Sequence, residues 1–205
     1  MARTGKSIAR LGWLAVLIVL GASVGAEEVR RAVSHRDEKL SLQGVSNFGR
    51  MDDRLYRGAQ PTAEGFAQLK ALGMETVVRL SLGEEGSTAE KSQVESLGMR
   101  FVSLPWSSMH DPPPEHVVAF LKFMRDHPDQ KIFVHCKAGS DRTGVMVALY
   151  RIVFNHWSAD QAVDEMKAFH YRYVFLPHLQ AYVEAFPAKL TSEPALVGLE
   201  TANVR

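Results

Sequence analysis

A single cysteine, Cys136, stands in 205 residues. One thiol can neither close an internal disulfide nor supply a multi-cysteine zinc site. His110, His116 and His178 lack metal-ligand spacing, and no metal or other cofactor is expected. Charge of one sign is missing too: 24 Lys and Arg face 23 Asp and Glu, a net charge of +1. That balance leaves no polybasic footprint for nucleic acid or for an anionic membrane surface. Long hydrophobic runs are scarce. A membrane-spanning helix needs roughly 20 apolar residues, and the strongly apolar stretch Leu11–Leu20 is half as long. What is there, 46% hydrophobic and 23% charged residues, excludes disorder and collagen-like repeats and suits one core of ordinary domain size.

The N-terminus has the order of a secretory leader. Arg3, Lys6 and Arg10 come without an acid, Leu11–Ala26 is uncharged, and Val24-Gly25-Ala26 offers small residues before Glu27. Residues 1–26 are expected to be a signal peptide, or an uncleaved N-terminal anchor, and the protein to be periplasmic or otherwise exported. Only an uncleaved segment would bring it to a membrane. Cleavage after Ala26 leaves 21 basic and 23 acidic residues, a charge of −2. Residues 27–44 are dense in charge without periodicity and read as a linker. A folded domain is expected over 45–187 and a tail over 188–205.

Within that domain, strand and helix signals alternate. Leu55-Tyr56-Arg57 is a short strand; Thr62 caps a helix over Ala63–Leu72 that Gly73 closes. Thr76–Leu80 is a β-branched, buried strand. Ser87 and Glu90 form a capping-box pattern for a helix to Leu97, stopped by Gly98, and Phe101–Leu104 follows as a strand. The segments Gln68–Val77 and Gln93–Val102 echo each other as two helix-Gly-strand steps. Pro114 opens a helix burying Val117, Val118, Phe120, Leu121 and Met124. Lys131–His135 is a central strand, and Thr143–Phe154 an apolar helix. Ser158 and Gln161 cap another helix, ending near Phe169, and Leu176–Phe186 is the last. The pattern predicts an α/β fold whose mostly parallel sheet of about four to five strands is flanked by helices.

Cys136 sits in the segment Val134-His135-Cys136-Lys137-Ala138-Gly139-Ser140-Asp141-Arg142-Thr143-Gly144, a strand-to-helix turn at the edge where open α/β sheets bind ligands. Backbone N–H groups of a Gly-containing loop can form an anion nest, and the next helix adds its positive end. Arg142 supplies a planar fork for two phosphate oxygens. The same field favours the thiolate of Cys136, so nucleophile and oxyanion cradle come from one short segment.

His135, Cys136, Gly139, Arg142, Thr143 and Gly144 match the His-Cys-x-x-Gly-x-x-Arg-Thr-Gly signature of the cysteine-dependent protein tyrosine phosphatase superfamily. The loop looks most like the small dual-specificity branch, and Leu55–Pro61 and the layout from Val45 to Phe186 resemble its compact bacterial members. The resemblance implies a phosphomonoester hydrolase. Cys136 would form a phosphocysteine, and Arg142 would hold the phosphoryl oxygens. Thr143 would hydrogen-bond the cysteine sulfur, and His135 would support the loop from behind. Lys137, Ala138, Gly139, Ser140 and Asp141 would line the phosphate cradle with Arg142. The resemblance also calls for an aspartate general acid. Asp111, 25 residues before Cys136 and the only acid between Glu95 and Glu115, fits that place; Asp141, directly before the arginine, is the alternative. Lys137 follows the cysteine as in phosphoinositide-directed members, although Ser140 stands where they carry a second lysine. Phosphorylated proteins and small phosphomonoesters, inositol phosphates among them, are therefore the expected partners, with a phosphate-binding pseudophosphatase as the non-catalytic alternative. The cluster His170-Tyr171-Arg172-Tyr173 either lines the pocket mouth or packs on the core, and Arg57 and Gln60 read as anchors of the first strand and turn.

Overall fold

Alternation of side chains along a few short strands decides the layering. In a computed structural model, which describes residues 38–199, the strands are β1 (Glu38–Lys39), β2 (Gly49–Arg50), β3 (Leu55–Gly58), β4 (Thr76–Arg79), β5 (Arg100–Ser103) and β6 (Ile132–His135). They form one sheet in the order β1-β2-β3-β6-β4-β5. Strands β3, β6, β4 and β5 run parallel, the four-strand core the sequence leads one to expect, while β1 and β2 add two-residue antiparallel rungs at one edge. Successive residues of a strand point to opposite faces. Leu55, Val78, Ile132 and Val134 thus join one hydrophobic cluster, whereas Tyr56, Val77 and Phe133 join the other.

Helices cover both faces. The first cluster takes α3 (Pro114–Asp126), α4 (Asp141–Phe154), α5 (Ala159–Ala168) and α6 (Pro177–Ser192); the second takes α1 (Ala63–Ala71) and α2 (Glu84–Ser96). On α3, Val117, Phe120, Leu121 and Met124 are buried, each contributing roughly 1.5–3 kcal/mol relative to exposure. Thr62 caps α1 by accepting from the Gly65 N–H, and the Ser158–Gln161 box caps α5. Gly73 and Gly98, with φ of 85° and 70°, end the two helix-Gly-strand steps that feed β4 and β5.

Several boundaries differ from the sequence reading. The expected leader and most of the linker lie outside the described residues, but β1 already belongs to the sheet, so residues 38–44 are part of the fold. Helix α2 starts at Glu84 behind Gly83, without a side-chain cap. Ser87 is a turn inside it, and the Ser87–Glu90 box does not form because Glu90 turns into the interior. Helix α4 starts at Asp141, two residues before Thr143. Helix α6 passes through Pro187 to Ser192, and Leu190, Leu196 and Leu199 are buried in the main cluster. The expected tail is thus partly core: apolar docking of these leucines outweighs the one backbone bond that Pro187 cannot make. Among the described residues, no helix is long and apolar enough to cross a membrane.

Candidate active site

Strand β6 is the centre of the site because it lies between β3 and β4. Its last residue, His135, is registered against Gly58 on one side and Arg79 on the other. The loop from Cys136 to Ser140 therefore leaves the sheet flanked by the ends of both neighbours and runs directly into α4. Cys136, directly after β6, is buried and only 2% exposed.

The carbonyls of this loop are held from outside. Lys137 O accepts from the Gln60 N–H at 3.3 Å, and Ala138 O from Asn47 Nδ2 at 3.3 Å. Gly139 O accepts from Asn47 Nδ2 at 3.1 Å and Arg57 Nη2 at 2.9 Å. Ser140 O accepts from the Gly144 N–H at 2.7 Å. In contrast, among the described residues the backbone N–H groups of Lys137, Ala138, Gly139 and Ser140 donate to no protein acceptor. Carbonyls outward and amides unengaged is the arrangement of an anion nest, with the N-terminus of α4 behind it. Gly139 makes this turn possible: its φ is 69°, and a Cβ there would stand 2.4–2.5 Å from the backbone of Gly58 and Ala59.

Arg142 enters from the first turn of α4. Its Nη1 donates to Leu80 O at 3.3 Å and Trp106 O at 3.1 Å, which fixes the guanidinium between the loops after β4 and β5. Its Nε and Nη2 donate to no protein group among the described residues. Arg142, Lys137, Ser81, Leu82, Ser107 and Ser108 line an open pocket of about 280 Å³. Thr143 is fully buried, and its hydroxyl has no hydrogen-bond partner among the described residues. The bond to the Cys136 sulfur that the resemblance implies is therefore not made in this structure.

The two candidate acids are placed differently. Asp141 is buried, and its carboxylate accepts from the Arg172 N–H at 3.0 Å, Nε at 2.9 Å and Nη2 at 2.7 Å. Those hydrogen bonds raise the Arg172 pKa, and Asp141 clamps the α5–α6 loop to the base of α4. Asp111 is exposed, three residues beyond Ser108 on the loop that forms one pocket wall, and lies outside the pocket lining. Burial first, then the charges of Glu193 and Asp111, pushes the Tyr182 phenol up to about 12. The cluster 170–173 divides: Tyr171 packs in the core, Arg172 serves Asp141, and Tyr173 is exposed.

Glu90, the centre of a buried polar hub behind the loop, escaped the sequence reading. Glu90 on α2 accepts from His135 Nε2 at 2.7 Å through Oε1, and from Arg79 Nε at 3.0 Å and Gln60 Nε2 at 2.9 Å through Oε2. Burial alone would raise its pKa, but the hydrogen bond and charge of His135, with Gln60 and Arg79, outweigh burial and hold the carboxyl below the usual carboxylate range. Arg79 also donates to Ser81 O and Leu82 O, fixing a pocket wall. On the other side Arg57 is fully buried, paired with Glu165 at 3.6 Å and 4.1 Å from the Phe169 ring centroid. The available signal was an arginine inside each of two otherwise apolar strands.

This sheet and this loop together define a cysteine-dependent phosphatase of the dual-specificity class. A family model described as a DSP-PTPase phosphatase fused to NAD+ kinase matches residues 33–174, and the chain belongs to that DSP-PTPase phosphatase family. It is 30% identical over 163 residues to the dual specificity protein phosphatase TpbA of Pseudomonas aeruginosa, covering 77% of this chain and 72% of that one. The crystal structure of TpbA superposes with a TM-score of 0.62 at 27% identity, covering 74% of this chain and 90% of that chain. A cysteine-to-serine variant of TpbA in complex with pTyr matches with a TM-score of 0.61 at 26% identity, covering 73% of this chain and 88% of that one. The inositol diphosphatase DSP3 of Arabidopsis thaliana is 28% identical over 128 residues, 60% of this chain and 62% of that one.

Proposed function

We propose that the chain hydrolyses phosphomonoesters through a phosphocysteine, with phosphotyrosine in proteins as the leading substrate. The observation that carries this reading is the loop whose carbonyls are tied outward beside a buried Cys136 while its N–H groups and Arg142 Nε and Nη2 donate to no group among the described residues. The Cys136 thiolate attacks phosphorus, and an S–P bond forms as the bond to the leaving oxygen breaks. Loop amides and Arg142 stabilise the equatorial oxygens where charge gathers. Asp111 moves in with its loop to protonate the leaving oxygen; Asp141 is occupied by Arg172. Water then attacks phosphorus, giving a proton to the Asp111 carboxylate; the S–P bond breaks, phosphate departs, and the Thr143 hydroxyl turns to the sulfur as it becomes a thiolate again.

Purified protein lacking residues 1–26 is expected to hydrolyse an aryl phosphate without added metal, and Cys136→Ser to abolish turnover. A serine variant as active as wild type would refute the mechanism. The complex of TpbA with pTyr supports the protein substrate. Lys137 in the pocket lining favours inositol phosphates as a second reading, and comparing kcat/KM for phosphotyrosine and inositol phosphates separates the two. The leader-like residues 1–26 support export to the periplasm; an extracytoplasmic protein beginning at Glu27 is the expected mass-spectrometric result, and a cytoplasmic chain retaining residue 1 would refute it.

A further inference from the structure

Five of the seven large hydrophobic side chains exposed among the described residues sit on three loops around the pocket. Leu82 (56% exposed) lines it, Met109 (68%) follows the pocket residue Ser108, and Tyr173, Val174 and Phe175 (54%, 69% and 78%) lie in the α5–α6 loop. That loop is fastened to the site at both ends. Arg172 grips Asp141 at the base of α4, and His178 Nε2 pairs with Ser108 O at 3.1 Å. It is also stiff: Phe175 and Leu176 N–H donate to Arg172 O at 3.0 Å, and the Tyr171 hydroxyl donates to Leu176 O. Three adjacent apolar side chains are thus held in water on an anchored turn, where contiguous exposed apolar surface marks an interaction site.

We propose that Leu82, Met109 and Tyr173-Val174-Phe175 form an apolar collar that binds hydrophobic side chains flanking the phosphorylated residue of a protein substrate. The inference rests on the phosphatase reading of the pocket and adds the sequence context of its substrate. Charge favours a peptide over a bilayer. Exposed Glu84 lies two residues after Leu82, and exposed Asp111 two after Met109; both would repel an anionic lipid surface. Neither repels apolar flanks, whereas both disfavour acidic ones.

The test compares phosphotyrosyl peptides with Leu, Ile or Phe flanks against peptides with Asp or Glu flanks, using wild type and a V174S/F175S double variant. Wild type is expected to prefer apolar flanks by about tenfold in kcat/KM, the yield of covering one or two apolar side chains. In the variant that preference should collapse while kcat/KM on a small aryl phosphate stays unchanged. No flank preference in wild type, or a preference that survives V174S/F175S, overturns the collar. So does a variant whose only defect is weaker binding to anionic phospholipid vesicles, which would make the loop a membrane contact. Failure to hydrolyse the aryl phosphate at all would instead strike the phosphatase reading.

Discussion

Replacing Glu90 by Gln keeps the side-chain shape and removes one charge from the hub behind the catalytic loop. In wild type three donors converge on two carboxylate oxygens, and the side chain is 4% exposed. Whichever way the amide of E90Q turns, its NH2 faces a donor. Turned toward Arg79 and Gln60, it opposes two N–H groups. Turned toward His135, it opposes the Nε2–H that donates to Glu90 in wild type. Breaking a buried pair costs about 3–5 kcal/mol. Arg79 keeps the carbonyls of Ser81 and Leu82, which places the loss at the lower end, about 3 kcal/mol, or roughly 6–12 °C in Tm for a domain of this size. The pH dependence has a definite sign. The folded pKa of Glu90 is depressed, so its stabilisation is complete above the unfolded carboxylate value of about 4.3. It is lost as pH falls through the depressed folded value. Urea unfolding of wild type and E90Q at pH 7 and below about pH 4 should therefore show a stability gap that narrows in acid. A gap under about 1 kcal/mol at pH 7, or one that does not change with pH, would refute the hub as an electrostatic brace.

Gly139→Ala must fit a Cβ against the backbone of Gly58 and Ala59 at positive φ; thermal unfolding should report a loss of about 2–5 kcal/mol, and turnover should fall with it. Wild-type stability in this variant would contradict the geometry of the loop. Asp111→Asn should lower kcat by about 10²–10³ on alkyl phosphates and much less on p-nitrophenyl phosphate, whose leaving oxygen needs no proton; equal losses on both would remove Asp111 from the acid role. Asp141→Asn should weaken the Arg172 clamp and lower Tm, with an effect on kcat that ignores the leaving group.

Local rules in the sequence carried the architecture far. The Thr62 and Ser158 caps, the Gly73 and Gly98 stops and the apolar strand at Ile132 are decided within a few residues, and each falls where the pattern puts it. The Cys136-to-Arg142 loop was legible for the same reason, since nucleophile, glycine and guanidinium are contiguous. Glu90 was misread because the capping-box pattern is a local rule, while its true partners, Gln60, Arg79 and His135, are brought together only by the sheet order. Asn47 was missed likewise: its contacts with Ala138 and Gly139 span some ninety residues. The expected last helix ends at Phe186, directly before Pro187, because proline's local cost is plain, whereas the leucines that carry α6 past it to Ser192 act through tertiary packing.

The outward anchoring of the loop carbonyls separates grip from taste. Anion affinity resides in the orientation of peptide groups, and that orientation is imposed by Arg57, Asn47 and Gln60, which stand 76 or more positions before Cys136 in the chain. The exposed side chains of Lys137 and Ala138 do not hold the cradle open. Exchanging them is therefore expected to leave the phosphatase chemistry in place while shifting which phosphate ester is preferred.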